Sequence, residues 1–386
     1  MCKTDKLCLV IWVIAVLCLW GCHPSSSFSQ AGTSESCTEA SISSAAVSSE
    51  LLDVPEIQQG VYDVTRFFEE GMVVFYENGL WLRRNYDEDT ITFFSFDPEQ
   101  PAAGPTSDIT APFGNLSMQS AMRMSGKRLY KWCSFLDELH VYDLEQGSVQ
   151  AFQGDRKYTA FCPDPKTGGA LLVENQGEQQ QFYRLDTNLK EEPWFTVGYE
   201  DVAFFTEMAL GEKGIAFSGG AFKEMGQQSQ HCYGFLDFQG EVSNKVFRGV
   251  MDAVPYQNGL LIYDGPLMRG EGTYALGRFL FLDADTLSIS EFEPNNPVEC
   301  QGPPALSDDG KFLLTTVEIC NDNGERAGYT FRVYSLDTGE QLAQYELARP
   351  LYNMKVSFFS SSRFFLITFH DETEETYEWK TYLFQF

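Results

Sequence analysis

Apolar residues along this chain come in short runs that begin just after a turn residue, and the runs return at a near-constant spacing. Gly71 precedes Met72-Val73-Val74-Phe75, Gly126 precedes Leu129-Tyr130, Gly169 precedes Ala170-Leu171-Leu172-Val173, and Gly214 precedes Ile215-Ala216-Phe217. Gly259 before Leu260-Leu261-Ile262-Tyr263, Gly310 before Phe312-Leu313-Leu314, and Ser362 before Phe364-Phe365-Leu366-Ile367 continue the series. The six intervals from residue 71 to residue 362 average about 48.5 residues. Units of roughly 40 to 50 residues that cannot bury their own faces alone stack into propellers. A second marker keeps the same period: an apolar or aromatic residue followed by an acid, at Tyr86-Asp87, Leu144-Glu145, Leu185-Asp186, Leu236-Asp237, Leu282-Asp283 and Leu336-Asp337.

Between the markers polar and apolar positions alternate with period two, as in Phe331-Arg332-Val333-Tyr334-Ser335-Leu336, which is the pattern of half-buried strands. Asn78-Gly79 and Asn258-Gly259 are tight-turn pairs, because both residue types tolerate positive φ. The pattern predicts an all-β chain, a seven-bladed β-propeller of four-stranded antiparallel blades. Six or eight blades are the alternatives, since the insert from Phe96 to Leu116 has room to hide a poorly matched unit. The last unit stops at Lys380-Thr381-Tyr382-Leu383-Phe384-Gln385-Phe386, one strand short of the others. The stretch from Leu51 to Tyr62 is expected to supply that strand and close the ring, leaving no open edge to pair with other chains.

The amino terminus changes the picture of where the protein works. Lys3 and Lys6 precede an apolar run from Leu7 to Trp20, 14 residues long, too short for a membrane span and right for the core of an export signal. Leu19-Trp20-Gly21-Cys22 follows. The ending resembles the lipobox of bacterial lipoproteins, which implies cleavage before Cys22 and a diacylglycerol on its thiol; Leu19, Gly21 and Cys22 match the pattern and Trp20 departs from it. Residues 23 to 50 hold 11 Ser in 28 positions with no apolar periodicity, the composition of a flexible tether. The expected organisation is a signal peptide over 1–21, a lipidated Cys22 and tether over 22–50, and the propeller over 51–386.

A net charge of −28 repels phosphate backbones and anionic headgroups, so nucleic-acid binding is excluded and the lipid is the expected membrane contact. Beyond Cys37, five cysteines fall in the propeller: Cys133, Cys162, Cys232, Cys300 and Cys320. Cys300 and Cys320 flank the turn at Gly310 symmetrically, which places them either in a cross-strand disulfide or as two small apolar neighbours.

Chemical motifs are scarce. His23, His140, His231 and His370 lack metal-binding spacing, and neither a G-x-S-x-G elbow nor a P-loop occurs, so no metal and no cofactor are expected. Cys320-Asn321-Asp322-Asn323-Gly324 reads as a polar hairpin turn rather than a calcium loop, because the first ligand position falls on Ile319. Leu306-Ser307-Asp308-Asp309-Gly310-Lys311-Phe312 resembles the S-P-D-G-K turn of TolB-type and WD40-like bacterial propellers, with Asp308 where the family has Pro; Cys162-Pro163-Asp164-Pro165 with Gly168 is a more distant echo. The resemblance implies extracytoplasmic binding or scaffolding.

Aligned by the residues that follow them, Asp63, Lys157, Asp201, Asp252 and Lys355 are expected at the starts of innermost strands, as a polar ring at one mouth of the central channel; Ser120 and Gln301 stand at the corresponding positions. Such a ring is either a ligand site or simply the wet rim of a channel. Two functions are compatible with it: an anchored monomeric propeller that binds a protein, peptide or glycan or scaffolds an envelope assembly, and a propeller enzyme of glycoside hydrolase or lyase type with Asp201 or Asp252 as acid or base.

Overall fold

Strands gather in chain order into seven antiparallel sheets among the described residues. The computed structural model describes residues 54–68, 73–75, 81–85, 90–112, 121–133, 137–222, 229–248, 251–256, 258–264, 278–292, 304–307, 309–349, 351–359, 363–371 and 379–386. By contacts the chain divides into Met1–Thr38 and Glu39–Phe386, and all the described residues belong to the second unit. The expected signal peptide, Cys22 and tether lie outside the described residues.

The first sheet holds Val73–Phe75, Trp81–Asn85, Thr90–Ser95 and Thr106–Pro112; the second holds Ala121–Ser125, Arg128–Cys133, Glu138–Asp143 and Ser148–Gln153. The third holds Tyr158–Pro163, Ala170–Asn175, Gln179–Leu185 and Glu191–Gly198; the fourth holds Phe204–Leu210, Gly214–Ala221, Gln230–Asp237 and Val242–Arg248. The fifth holds Met251–Tyr256, Gly259–Asp264, Arg278–Asp283 and Ser288–Phe292; the sixth holds Ala305–Leu306, Phe312–Cys320, Arg326–Ser335 and Gln341–Leu347. The seventh has five strands: Leu351–Phe358, Phe364–Asp371 and Trp379–Gln385, then Val61–Asp63 and Glu56–Gln58 from the other end of the chain.

Each sheet is sandwiched between neighbours, which accounts for the apolar runs. Gly214–Ala221 is buried along its whole length and Ala170–Asn175 over its first four residues, because both faces of a second strand are covered; outer strands such as Ser148–Gln153 keep exposed positions. Separate cores join the third sheet to the fourth (Phe182, Phe195 with Phe205, Phe217), the fourth to the fifth (Tyr233, Phe235 with Leu260, Ile262), and the fifth to the sixth (Tyr263, Phe279 with Leu313, Tyr334). The seventh packs on the sixth through Phe365 and Phe384 against Phe331, and on the first through Phe359 and Phe364 against Phe96. First strands of the second through seventh sheets touch one another in chain order.

The two sequence markers prove to be two sides of one contact. A Cβ on Gly169 would stand 2.0 Å from the Leu185 carbonyl oxygen, one on Gly214 2.2 Å from that of Leu236, and one on Gly259 2.0 Å from that of Leu282. Only glycine lets the start of a second strand approach the end of the third so closely. The acid after each leucine then turns the chain into the fourth strand: Asp186 Oδ1 accepts from the N–H groups of Asn188 and Lys190, Asp237 Oδ1 from Gln239 and Glu241, and Asp283 Oδ1 from Asp285 and Thr286.

Three sheets correct the sequence register. In the second sheet the turn acid is Asp143, whose Oδ1 accepts from Glu145 and Gln146 N–H, not Glu145 itself. In the sixth, Ser335 Oγ takes the role given to Asp337, accepting from Thr338 N–H at 3.2 Å. The first sheet is slipped by a whole strand: Val73–Phe75 is its first strand rather than its second, and Asp97, which accepts from Glu99 N–H at 2.9 Å, is the acid after its third. Its fourth strand, Thr106–Pro112, lies within the insert that was open to concealing another unit.

Val61–Asp63 pairs antiparallel with Trp379–Gln385, Val61 opposite Phe384 and Asp63 opposite Tyr382. The Gln385 N–H donates to the Gly60 carbonyl at 2.8 Å, and the Val64 N–H donates to that of Thr381 at 3.0 Å. Cys300 lies outside the described residues; Cys320 is exposed at the end of Phe312–Cys320. In the hairpin after it, Asn321 Oδ1 accepts from Asn323 and Glu325 N–H and Gly324 holds φ +77°, a polar turn as expected.

Candidate functional site

The five residues expected to ring one channel mouth do not share a level. Lys157 is exposed just before Tyr158–Pro163, where a first strand begins. Lys355 is also exposed but lies in the middle of Leu351–Phe358, opposite Thr368. Asp201 stands three residues before Phe204–Leu210 and is held at the opposite margin of the sheet, where Lys245 of the outermost strand approaches its Oδ1 at 3.6 Å and donates to its carbonyl at 3.1 Å. Asp63 is not on an innermost strand at all. It ends Val61–Asp63 on the outer side of the seventh sheet, its Oδ1 accepting from Thr65 N–H at 2.9 Å. Asp252 is the second residue of Met251–Tyr256, opposite Tyr263, with its side chain outside the described residues, as are Ser120 and Gln301.

The inner wall carries other groups instead. Arg123 of the second sheet pairs with Glu207 of the fourth, spanning the first strand of the third. Phe204 opens the fourth sheet's first strand with 41% of its surface exposed. Its ring lies against Gly220, where a Cβ would meet ring carbons at 2.3 Å, so one face is seated on backbone and the other is open.

In an antiparallel meander the turns between first and second strands, and between third and fourth, all fall at one end of the sheets, opposite the starts of the first strands. At that end a cleft of about 490 Å³ opens along the third and fourth sheets and reaches the fifth. Asp164, in the turn after Tyr158–Pro163, anchors it. Its carboxylate is 1% exposed; Oδ1 accepts from Lys166 and Thr167 N–H at 3.1 Å each and Oδ2 accepts from Arg184 Nη2 at 2.9 Å. Burial pushes the Asp164 carboxyl up, yet the Arg184 and Thr167 hydrogen bonds outweigh burial and hold it below the usual range.

Arg184 in turn lies over the Trp194 ring at 5.3 Å, and Trp194 meets Phe238 with centroids 5.0 Å apart. On the far wall Asp285 accepts from the Glu212 N–H at 2.6 Å and from Asn258 Nδ2 at 3.0 Å. The Lys166–Glu212 pair, 3.7 Å apart and about three-quarters exposed, closes the rim and adds little energy. A larger, polar groove of about 710 Å³ runs between the N-terminal strands and the sixth sheet's outer strand, walled by Tyr62, Gln344, Tyr345 and Gln385.

The sequence marked Asp164 through its faint turn motif, but not Arg184 or Trp194. One signal was available: Arg184 occupies the position before the leucine marker where the fourth and fifth sheets carry Phe235 and Phe281.

Among the described residues, Cys162, Cys232 and His140 are buried. Burial pushes the Cys162 thiol up to about 12, with Arg123 opposing, and that of Cys232 up to about 11, with Lys245 opposing, the reverse of an activated thiolate. His140 is brought down to about 4 by burial and by Lys131, so its 3.6 Å approach to Glu138 is not an ion pair at neutral pH.

No family model matches the sequence, and no curated protein matches it. Among solved structures, hydrazine synthase of Kuenenia stuttgartiensis is similar over 81% of this chain and 94% of its own, with 10% identity and a TM-score of 0.47. The β-propeller domain of the trilobed protease from Pyrococcus furiosus is similar over 67% and 80% respectively, with 8% identity and a TM-score of 0.42. TolB from Acinetobacter baumannii is similar over 68% and 62%, with 14% identity and a TM-score of 0.37.

Proposed function

We propose that this chain is an exported, lipid-anchored propeller of seven blades, closed by its N-terminal strand, that binds an extracytoplasmic protein, peptide or glycan without transforming it. The ring reading rests on the cores that join each sheet to the next and the seventh to the first, and on Val61–Asp63 serving as outer strand to the seventh sheet. The binding reading rests on one observation above the rest. The open polar groups form a pre-oriented recognition surface, Arg184 held between Asp164 and Trp194, while Cys162, Cys232 and His140 are buried. Of the two acids the enzyme reading names, Asp201 is tied to Lys245 at the sheet margin and the Asp252 side chain lies outside the described residues. Anchoring is read from Leu19-Gly21-Cys22.

Expression of the full chain and of Cys22→Ser in a bacterial host, with a labelled fatty acid and membrane fractionation, tests the anchoring. The parent is expected to carry label and sediment with membranes; Cys22→Ser is expected to lose the label and to appear unprocessed or in the soluble fraction. A Cys22→Ser chain of mature size that still sediments with membranes overturns the lipoprotein reading.

A further inference from the structure

We propose that the cleft along the third and fourth sheets binds a neutral pyranose unit of a glycan. The assignment rests on the reading of the chain as a binding module and names the ligand of its best-formed site.

Size comes first: about 490 Å³ lies within the roughly 300–1,000 Å³ typical of small-ligand sites. Charge comes second. Asp164 and Arg184 neutralise one another, as do Lys166 and Glu212, whereas Asp285 holds its carboxylate with two uncharged donors, the Glu212 N–H and the Asn258 amide. The walls therefore carry one net negative charge on a strongly acidic protein, which disfavours phosphates, carboxylates and acidic sugars.

Hydrogen-bonding capacity comes third. Arg184 gives only Nη2 to Asp164 and its side chain is 44% exposed, so further guanidinium N–H groups are available to a ligand, while Asp285, Glu212 and the Asn258 carbonyl supply acceptors. Sugar hydroxyls donate and accept at once and can use both walls. The partly buried Trp194–Phe238 pair offers an apolar surface for the C–H face of a pyranose. Rigidity is built in: Asp164 is fully buried with three hydrogen bonds, and Arg184 is clamped between it and Trp194, so little side-chain freedom is left to lose on binding.

The test is calorimetric titration of the full-length protein in detergent with neutral tetrasaccharides of glucose, mannose, galactose and N-acetylglucosamine. Tetragalacturonate and a tryptophan-containing tetrapeptide are the comparison probes. At least one neutral tetrasaccharide is expected to bind and to be preferred over both comparison probes. Trp194→Ala and Arg184→Met are each expected to weaken it by about tenfold or more, with Trp194→Phe recovering part of the loss. Phe204→Ala, at the opposite end of the sheets, is expected to leave the affinity unchanged, and thermal melts of every variant separate lost contacts from lost folding. No neutral sugar bound up to about 10 mM, affinity indifferent to Trp194→Ala in a folded protein, or preference for the uronate or the peptide each overturns the assignment. Sugar binding abolished by Phe204→Ala but not by Trp194→Ala keeps the binding module and removes the cleft. Cleavage of the bound tetrasaccharide does the opposite: it keeps the cleft and removes the non-enzymatic reading.

Discussion

Gly259 carries a constraint that neither its size nor its turn position reveals, because a methyl group there would press on the Leu282 carbonyl oxygen at 2.0 Å across two hydrogen-bonded strands. Neither backbone can retreat without breaking the ladder. Gly259→Ala is therefore expected to destabilise the protein by about 2 kcal/mol or more, read from urea denaturation, whereas a mutation at an exposed site stays within about 0.5 kcal/mol. An unchanged midpoint would show that the strands have slack. At His140 the controlling quantity is a proton. With its value lowered from 6.5 to about 4 by burial and Lys131, the folded state keeps the imidazole neutral while the unfolded chain takes up a proton below pH 6.5. Stability is thus complete above pH 6.5 and drains away as pH falls toward 4. The group contributes about 3 kcal/mol in full, of which about 2 kcal/mol is lost by pH 5. Denaturation curves at pH 7.5 and pH 5 should show that loss, and His140→Met should remove about that much of the pH dependence; equal slopes in the two proteins would sink the linkage.

Strand elements were legible where burial is one-sided, since period-two alternation records which face meets a neighbour. The seventh sheet adds a lesson about chain ends. Val61 is fully buried among Phe365, Phe384 and Phe331, the first two of which stack at 4.6 Å, so the N-terminal strand completes a core as well as a ladder. Deleting residues 51–63 is expected to lower the melting temperature sharply and to promote association, because it bares Trp379–Gln385 as an apolar edge. A deletion variant that melts like the full chain and stays monodisperse in light scattering would refute the strand's structural role. First-sheet strands were misread because Gly71-Met72-Val73-Val74-Phe75 has the same local grammar as the second strands, a turn glycine and then an apolar run. Local patterning does not distinguish a strand that begins a sheet from one that follows a hairpin.

At the scale of the whole molecule the repeat period and the markers were readable from the chain, because neighbouring sheets meet the same packing problem, which the third, fourth and fifth answer with the same glycine and acid. Functional geometry obeys no such repetition. Asp63, Lys157, Asp201 and Lys355 recur near multiples of the repeat period yet do not fall at one place in the sheets: the connection carrying Asp201 runs along the sheet margin, and Asp63 belongs to the strand that crosses over to the last sheet. Arg184, Trp194, Phe238 and Asp285 are scattered over about a hundred residues and three sheets, and they meet only because adjacent sheets pack face to face with their turns at a common end. The departure of Arg184 from the phenylalanine position of its neighbours was visible in the chain, but its partners were not. Sequence alone determined the strand pattern and the spacing of the repeating units, since turn chemistry and burial periodicity act over a few residues. The tertiary structure decided which strand joins which sheet and which side chains share a cleft, since those depend on contacts between residues that no local rule connects.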